Sequence, residues 1–261
     1  MYKKVVAVLA MIFAMLFVSI GAFAASPAVQ EVEAQIAQIG TVTRENRSAV
    51  ENALSAYNEL DDASKAEVSN YEILVEAQQI LGIKDALAKL EVEYDKVDND
   101  YTITSPSNLK ELESGSCSIM PTICIYENSE KPEMVVLYNY VGDKFVWTDA
   151  IAVRTEENRY TYEKGAFIYK KTDRATIPSG KVKCVEIVCI TAAQFDFELL
   201  RDALSSKETI IRFTGHEPIT GDRAEYDYVL TPQNRQSITD VLHTYDLMCS
   251  VSSDVMRKAL A

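Results

Sequence analysis

The chain of 261 residues carries 39 acidic and 26 basic side chains, which gives a formal net charge of −13 at pH 7. Apolar residues make up 48% and charged residues 25%, as in ordinary globular proteins, so a disordered or collagen-like chain is excluded. The negative charge repels nucleic-acid phosphates and anionic lipids, so we expect neither as a partner. Only two histidines are present, which disfavours a multi-histidine metal site, and no motif indicates a metal or a cofactor.

Residues 1–24 have the three parts of a secretory signal. Two lysines near the start provide positive charge, residues 5–20 form an uncharged apolar run, and residues 21–24 offer small side chains for cleavage. We predict cleavage after Ala24 or Ala25 and a protein that is secreted or held non-covalently at the cell surface. The alternative is an uncleaved membrane anchor, for which the run is short compared with the roughly 20 residues of a typical span.

The sequence contains five cysteines, and an odd number cannot all pair within one chain. Cys184 and Cys189 are five residues apart in a predicted strand, so their side chains point to opposite faces and should not bond each other. Small buried thiols are the favoured interpretation. One disulfide between distant strands and a catalytic cysteine are the alternatives. The other three cysteines are Cys117, Cys124 and Cys249.

Residues 25–94 have a helical pattern with few turn residues. Apolar residues recur at three- and four-residue spacing in three stretches, of which the first ends at Gly40, the second starts near Thr43 and the third starts near Asn70. Three such stripes joined by short loops predict an antiparallel three-helix bundle. The polar segment 95–100 is predicted to be the linker to a second domain.

Three short motifs in this helical module keep a fixed order and spacing: Ile-Gly-x-Val-Thr at 39–43, Ala-Tyr-x-x-Leu at 56–60 and Val-x-Asn-Tyr at 68–71. With these motifs, residues 28–80 resemble a small helical repeat that occurs in tandem in surface and glycan-associated proteins of Gram-positive bacteria. Here one copy is present. The resemblance implies a spacer or display role and transfers no catalytic residue.

Residues 101–261 are predicted to form an α+β domain, with a mostly antiparallel sheet or sandwich and two packed helices. Runs rich in β-branched and aromatic residues, bounded by turn residues, predict eight strands, with hairpin turns at 141–143 and 156–158. The strands are predicted at 118–126, 134–140, 144–154, 159–163, 166–170, 182–190, 208–214 and 225–230.

The two helices of this domain are predicted from their start signals. Thr191 with Gln194 three residues later has the spacing of a capping box, and Thr231 followed by Pro232 is typical of a helix N-terminus.

Three further segments of this domain carry a resemblance: Tyr-Asn-Tyr at 138–140, Lys-Glu-Thr-Ile-Ile-Arg-Phe at 207–213 and Tyr-Asp-Tyr at 226–228. With them, residues 118–247 resemble an uncharacterised domain of secreted Gram-positive proteins, which implies fold and localisation only.

Asp149 is the first candidate ligand-binding residue, because it falls on an otherwise apolar row of a predicted strand. Burying the carboxylate unpaired would cost several kcal/mol or more, so it needs a partner such as Arg212 or a backbone cap. A structural ion pair or a bulge is the favoured interpretation, and a ligand-binding carboxylate is the alternative. Arg212 is equally ambiguous, since it lies between Ile211 and Phe213 in a short apolar strand.

Tyr226 and Tyr228 complete the candidate ligand-binding set. The chain has 14 tyrosines, many of them in predicted strands, where they can form flat stacking surfaces for sugars or peptides. Cross-strand packing is the interpretation we favour for most of them.

His216 and Glu217 form the alternative site, in a predicted loop between Gly215 and Gly221. An imidazole next to a carboxylate can serve as an acid/base pair or as one corner of a metal site, although surface loops often contain such pairs. The second histidine, His243, is expected to face solvent on its helix.

The sequence favours a secreted, non-enzymatic cell-surface module that binds a cell-wall glycan or a surface protein. The alternative is a secreted hydrolase or effector that uses the loop around His216. A structural spacer without a ligand is the third class considered.

Overall fold

The computed structural model, which describes residues 26–261, has helices in its first part and helices mixed with antiparallel strands in the rest. It divides into two compact units, one that ends at Ala77 and one that comprises Gln78–Ala261. The fold is therefore a mixture of helix and antiparallel sheet, in agreement with the predicted α+β class. The predicted signal peptide, residues 1–24, lies outside the described residues.

The first unit contains α1 (Pro27–Ala37), α2 (Arg47–Glu59), α3 (Asp62–Glu67) and the start of α4 (Tyr71–Leu87). The apolar stripes seen in the sequence form the buried face of these helices. The buried residues include Val29, Val32 and Ile36 of α1, Val50 and Ala53 of α2, and Leu74 and Ala77 of α4.

Polar caps set the helix starts of this unit. Ser26 Oγ accepts the N–H of Val29 at 3.2 Å, which satisfies one free donor of the first turn of α1. Before α2, Thr43 Oγ1 accepts the N–H of Asn46 at 3.2 Å and Asn46 Oδ1 accepts the N–H of Thr43 at 2.7 Å. This is the reciprocal bonding of a capping box at the predicted start near Thr43, and the regular helix begins at Arg47.

Glu33 connects α1 to the start of α4. Its carboxylate accepts hydrogen bonds from the hydroxyl and the backbone N–H of Ser69, and these bonds lower the pKa of Glu33. The Asn70 side-chain amide donates to the Glu33 carbonyl oxygen at 2.9 Å. A polar pair that is 36 residues apart in sequence therefore fixes the position of one helix on another within the unit.

The predicted linker 95–100 instead lies in a β-hairpin. Strands β1 (Glu91–Asp95) and β2 (Asp100–Thr104) pair antiparallel around a turn in which Asn99 has a φ of +56°. Tyr94 stacks on Tyr101 with ring centroids 4.7 Å apart. The division between the two units falls at Ala77, inside α4, so polar composition alone was a misleading signal of a boundary.

Two antiparallel sheets form the body of the second unit. The six-stranded sheet has the order β1-β2-β3-β4-β8-β7, and the four-stranded sheet has the order β10-β9-β5-β6. The remaining strands are β3 (Ser118–Ile125), β4 (Glu133–Gly142), β5 (Thr148–Arg154), β6 (Arg159–Glu163), β7 (Tyr169–Thr176), β8 (Val182–Thr191), β9 (Ile210–His216) and β10 (Arg223–Val229).

The eight strands predicted from the sequence overlap β3–β10, and for seven of them the ends differ by at most four residues. The strand predicted at 166–170 shares only two residues with β7. The predicted hairpin at 156–158 is confirmed, because β5 pairs with β6. The predicted hairpin at 141–143 is wrong, since β4 pairs with β8 and β5 pairs with β9. Residues 143–147 therefore form a crossing between the two sheets.

Four helices accompany the sheets: α5 (Pro106–Ser114), α6 (Gln194–Ser205), α7 (Pro232–Cys249) and α8 (Ser253–Leu260). The start of α7 is confirmed, as Thr231 Oγ1 accepts the Asn234 N–H at 3.0 Å. The capping box at Thr191 is wrong, because Thr191 ends β8 and the Asp196 carboxylate accepts the N–H of Ala193. Helices α5 and α8 were not among the sequence predictions.

Tyrosines fill the space between the two sheets. Tyr138 of β4 contacts Tyr162 of β6 with ring centroids 5.7 Å apart, and Tyr140 lies at the same distance from Phe213 of β9. These side chains are buried, which supports the cross-strand packing interpretation of the tyrosine-rich strands.

The buried Glu186 of β8 holds the crossing segment in place. Its carboxylate accepts the backbone N–H groups of Val146, Trp147 and Thr148 at 2.6, 2.8 and 2.7 Å. Trp147 adopts a φ of +60°, which is unfavourable for a bulky side chain and needs such support. The backbone of Gly215 lies directly against this turn.

Gly215→Ala tests how closely the crossing packs on β9. A Cβ at this position would lie 2.2 Å from the carbonyl oxygen of Trp147, a backbone atom that cannot move without displacing the turn. We expect the free energy of unfolding to fall by about 3 kcal/mol, measured by urea denaturation. Gly165→Ala is the matched control, because its Cβ has no heavy atom within 4 Å. Similar losses in both variants would contradict the close packing.

Candidate functional site

The candidate site is the outer face of the four-stranded sheet, which carries charged side chains. Successive side chains along these strands point to opposite faces of the sheet, and those on the inner face are buried between the sheets. The buried set is Ile151, Val153, Tyr160, Tyr162, Ile211 and Phe213. The outer face includes Ala152, Arg154, Arg159, Ile210, Arg212, His216 and Asp227.

Asp149 is turned outward by a bulge and pairs with His216. The register between β5 and β9 shifts between Thr148 and Ala150, which leaves Asp149 as the extra residue. Its Oδ2 lies 3.0 Å from Nδ1 of His216, and both side chains are partly exposed. The predicted bulge is confirmed, whereas the predicted partner Arg212 is wrong.

Arg212 pairs instead with Asp227, directly opposite on β10. The guanidinium donates from Nε and one terminal nitrogen to the two carboxylate oxygens at 2.7 and 2.6 Å, which is the two-bond geometry that arginine and carboxylate favour. These bonds lower the pKa of Asp227 and raise the pKa of Arg212. Glu225 lies 3.9 Å from the same guanidinium.

Tyr226 and Tyr228 of β10 lie on the face of the four-stranded sheet opposite to Arg212 and Asp227. The rings of Tyr226 and Tyr140 pack edge to face at a centroid distance of 5.1 Å, and Tyr226 remains 39% exposed. Tyr228 is half-buried, and burial raises its pKa to about 12. The four predicted ligand-binding residues therefore do not form one surface, and Asp149 and Arg212 are the two that share the outer face.

The carboxylate of Glu217 is hydrogen-bonded within its own turn. One carboxylate oxygen accepts the N–H groups of Ile219 and Thr220, and the bond from Thr220 contributes most to a lowered pKa of Glu217. The carboxylate that meets His216 is thus Asp149, 67 residues away in sequence, and not the adjacent Glu217. His243 is exposed on α7, as the helical spacing predicted.

Lys170 supports the Asp149 bulge from the neighbouring sheet and was missed in the sequence analysis. Its ammonium group donates to the carbonyl oxygen of Thr148, and burial lowers its pKa, against the opposing charges of Glu186 and Asp149. Lys170 lies opposite Val188 on β8, so it shares a face with Glu186. No local pattern marks this lysine, since its role depends on the pairing of β7 with β8.

Arg154 and Arg159 were also missed, although a sequence signal for them exists. They flank the predicted turn at 156–158 and so become direct cross-strand neighbours when the hairpin forms. Together with Arg212 they surround a depression of about 210 Å³, whose lining also includes Ala152, Ile210 and Asp227.

The five cysteines are free in the structure. Cys117, Cys184 and Cys189 are buried, in agreement with the favoured interpretation of small buried thiols, whereas Cys124 and Cys249 are partly exposed. Cys117 is buried, and burial raises the pKa of its thiol to about 11, which makes it a poor nucleophile at neutral pH. Within residues 26–261, no group of three or more His, Cys, Asp or Glu side chains could hold a metal ion.

Comparison of the chain with protein-family models, with curated proteins and with solved structures gives no match. Across residues 26–261, none of the helices has the length and the apolar character needed to span a membrane.

Arg212→Gln tests the Arg212–Asp227 pair through the pH dependence of stability. The folded-state pKa of Asp227 lies below the unfolded value of about 3.9, so the pair stabilises the protein above that pH and loses its effect as the pH falls through the lowered pKa. We expect the variant to be less stable than wild type above about pH 4 and the difference to vanish at lower pH.

Urea denaturation at a series of pH values measures this difference. Arg159→Gln is the control, because it removes the same charge from the same face without breaking an ion pair in the part of the chain that the structure describes. A difference between Arg212→Gln and wild type that stays constant from pH 6 to about pH 2 would rule out the proposed coupling.

Proposed function

We propose that the protein is a secreted, non-enzymatic binding module whose ligand is held on the outer face of the four-stranded sheet. The observation that carries this proposal is the exposed set of oriented polar pairs on that face, Arg212 with Asp227 and His216 with Asp149. The pairs accompany a depression of about 210 Å³. Typical small-molecule pockets enclose about 300–1,000 Å³, so this site suits one part of an extended ligand.

A cell-wall glycan is the ligand that this chemistry favours, and a surface protein is the second partner considered. Guanidinium and imidazole groups donate hydrogen bonds and carboxylates accept them, so the face can satisfy several hydroxyl groups. Ala152 and Ile210 provide apolar surface between the polar groups, where the C–H face of a sugar ring can lie.

We further propose that the N-terminal helices form a small bundle that acts as a spacer, and that residues 1–24 direct export. Support for the bundle comes from the buried apolar stripes of α1, α2 and α4 and from the Glu33 contacts. Support for export comes from the charge and apolar pattern of residues 1–24 and from the resemblance of residues 28–80 to a surface-protein repeat.

A hydrolase or effector that uses His216 is the second candidate function. It is favoured by one observation, the 3.0 Å contact between His216 Nδ1 and Asp149, since a carboxylate that orients an imidazole is part of many acid/base sites. Against it, the Glu217 carboxylate is committed to its own turn, and His216 is well exposed.

Sedimentation of the purified protein with insoluble cell-wall glycan tests the binding function. We expect saturable binding that Arg212→Gln weakens about tenfold, the effect of losing roughly 1.4 kcal/mol of contact energy. His243→Gln is the control, because His243 is exposed on α7 and lies off the four-stranded sheet.

The same samples distinguish the two candidate functions. Release of reducing ends from the glycan, abolished by His216→Gln, would favour the hydrolase. Binding that is identical in wild type, Arg212→Gln and His243→Gln would contradict the placement of the ligand on the outer face.

A further inference from the structure

Two arginines of the outer face oppose each other at the end of the β5–β6 hairpin. Arg154 and Arg159 are direct partners in the register of these strands, and both side chains are exposed. Like charges at directly opposite positions of an antiparallel pair repel and destabilise the sheet. The pair therefore has no evident benefit for folding.

Neither guanidinium has a counterion in the part of the chain that the structure describes. Among residues 26–261, no carboxylate lies within 4 Å of Arg154 or Arg159, although the chain carries 39 acidic residues and Glu156 and Glu157 occupy the intervening turn. Other basic side chains of the same sheet are paired: Arg212 with Asp227 and Arg223 with Glu225. The lack of pairing is thus specific to one end of the sheet.

The unpaired arginines lie at the depression, together with Arg212. Arg154 is opposite Ile210 on β9 and Arg212 is opposite Ala152 on β5, so the three guanidinium groups surround an apolar floor. Asp227 balances Arg212, which leaves two uncompensated positive charges next to Ala152 and Ile210. Glu225 lies at the far side of Arg212 at 3.9 Å.

We propose that Arg154 and Arg159, next to the paired Arg212 and Asp227, form an oxyanion-binding site that holds a phosphate or carboxylate group of the ligand. Guanidinium groups recognise both kinds of oxyanion through pairs of parallel hydrogen bonds, and a bound anion would remove the repulsion between Arg154 and Arg159. The inference rests on the proposed function for the position of the ligand. It adds the ligand's chemistry: an anionic glycan.

Titration of the whole protein with inorganic phosphate, followed by backbone amide resonances, tests the site directly. We expect shifts confined to residues near Arg154, Arg159 and Arg212, and a loss of affinity of at least about tenfold in the double variant Arg154→Gln/Arg159→Gln. Arg223→Gln is the matched control, because it removes one charge from the same face at the paired end of the sheet. The double variant should unfold at the same or a higher temperature, since the repulsion is gone.

Equal phosphate affinity in wild type and the double variant would overturn the site, as would an equal loss in Arg223→Gln. Binding to polygalacturonate, to a phosphate-bearing mannan and to uncharged dextran then separates the two oxyanion sources. Binding of dextran that the double variant leaves unchanged would refute this inference and leave the binding module standing. Localised phosphate shifts without binding of any of the three polysaccharides would support the oxyanion site and count against the glycan ligand.

Discussion

The carboxylate of Glu186 is the interaction on which the arrangement of the second unit depends. It is fully buried in the six-stranded sheet, and three backbone N–H groups from the crossing segment satisfy it at 2.6–2.8 Å. A buried charge without such donors would be very unfavourable, so carboxylate and turn stabilise each other. The crossing carries the chain from β4 of the six-stranded sheet to β5 of the four-stranded sheet.

The outer face of the four-stranded sheet follows from this crossing. Trp147 leaves the turn at a positive φ, Thr148 pairs with Gly215, and the bulge at Asp149 begins one residue later. That bulge directs a carboxylate toward His216, while the regular alternation that follows buries Ile151 and Val153 and leaves Ala152 and Arg154 outside. The binding proposals thus depend on a register that one buried glutamate helps to set.

Local sequence patterns predicted the strands β3–β10, the 156–158 turn and the bulge at Asp149, because alternation and turn chemistry act over a few residues. They failed where distant segments decide the outcome. The 141–143 segment has turn residues, yet β4 finds its partner in β8, and His216 meets a carboxylate 67 residues away. Of the tyrosines that suggested a stacking surface, Tyr138, Tyr140, Tyr160 and Tyr162 are buried. Arg154 and Arg159 could have been found, since a predicted hairpin places its flanking residues opposite each other.

The most direct test of this account is amide hydrogen exchange at Val146, Trp147 and Thr148, compared between wild type and Glu186→Gln. If the carboxylate holds the crossing, the three wild-type amides exchange as slowly as those in the centre of β8, and all three exchange much faster in the variant, which leaves one or more donors unpaired. Rapid exchange in wild type, at the rate of the exposed turn residue Ser179, would contradict the central role of Glu186.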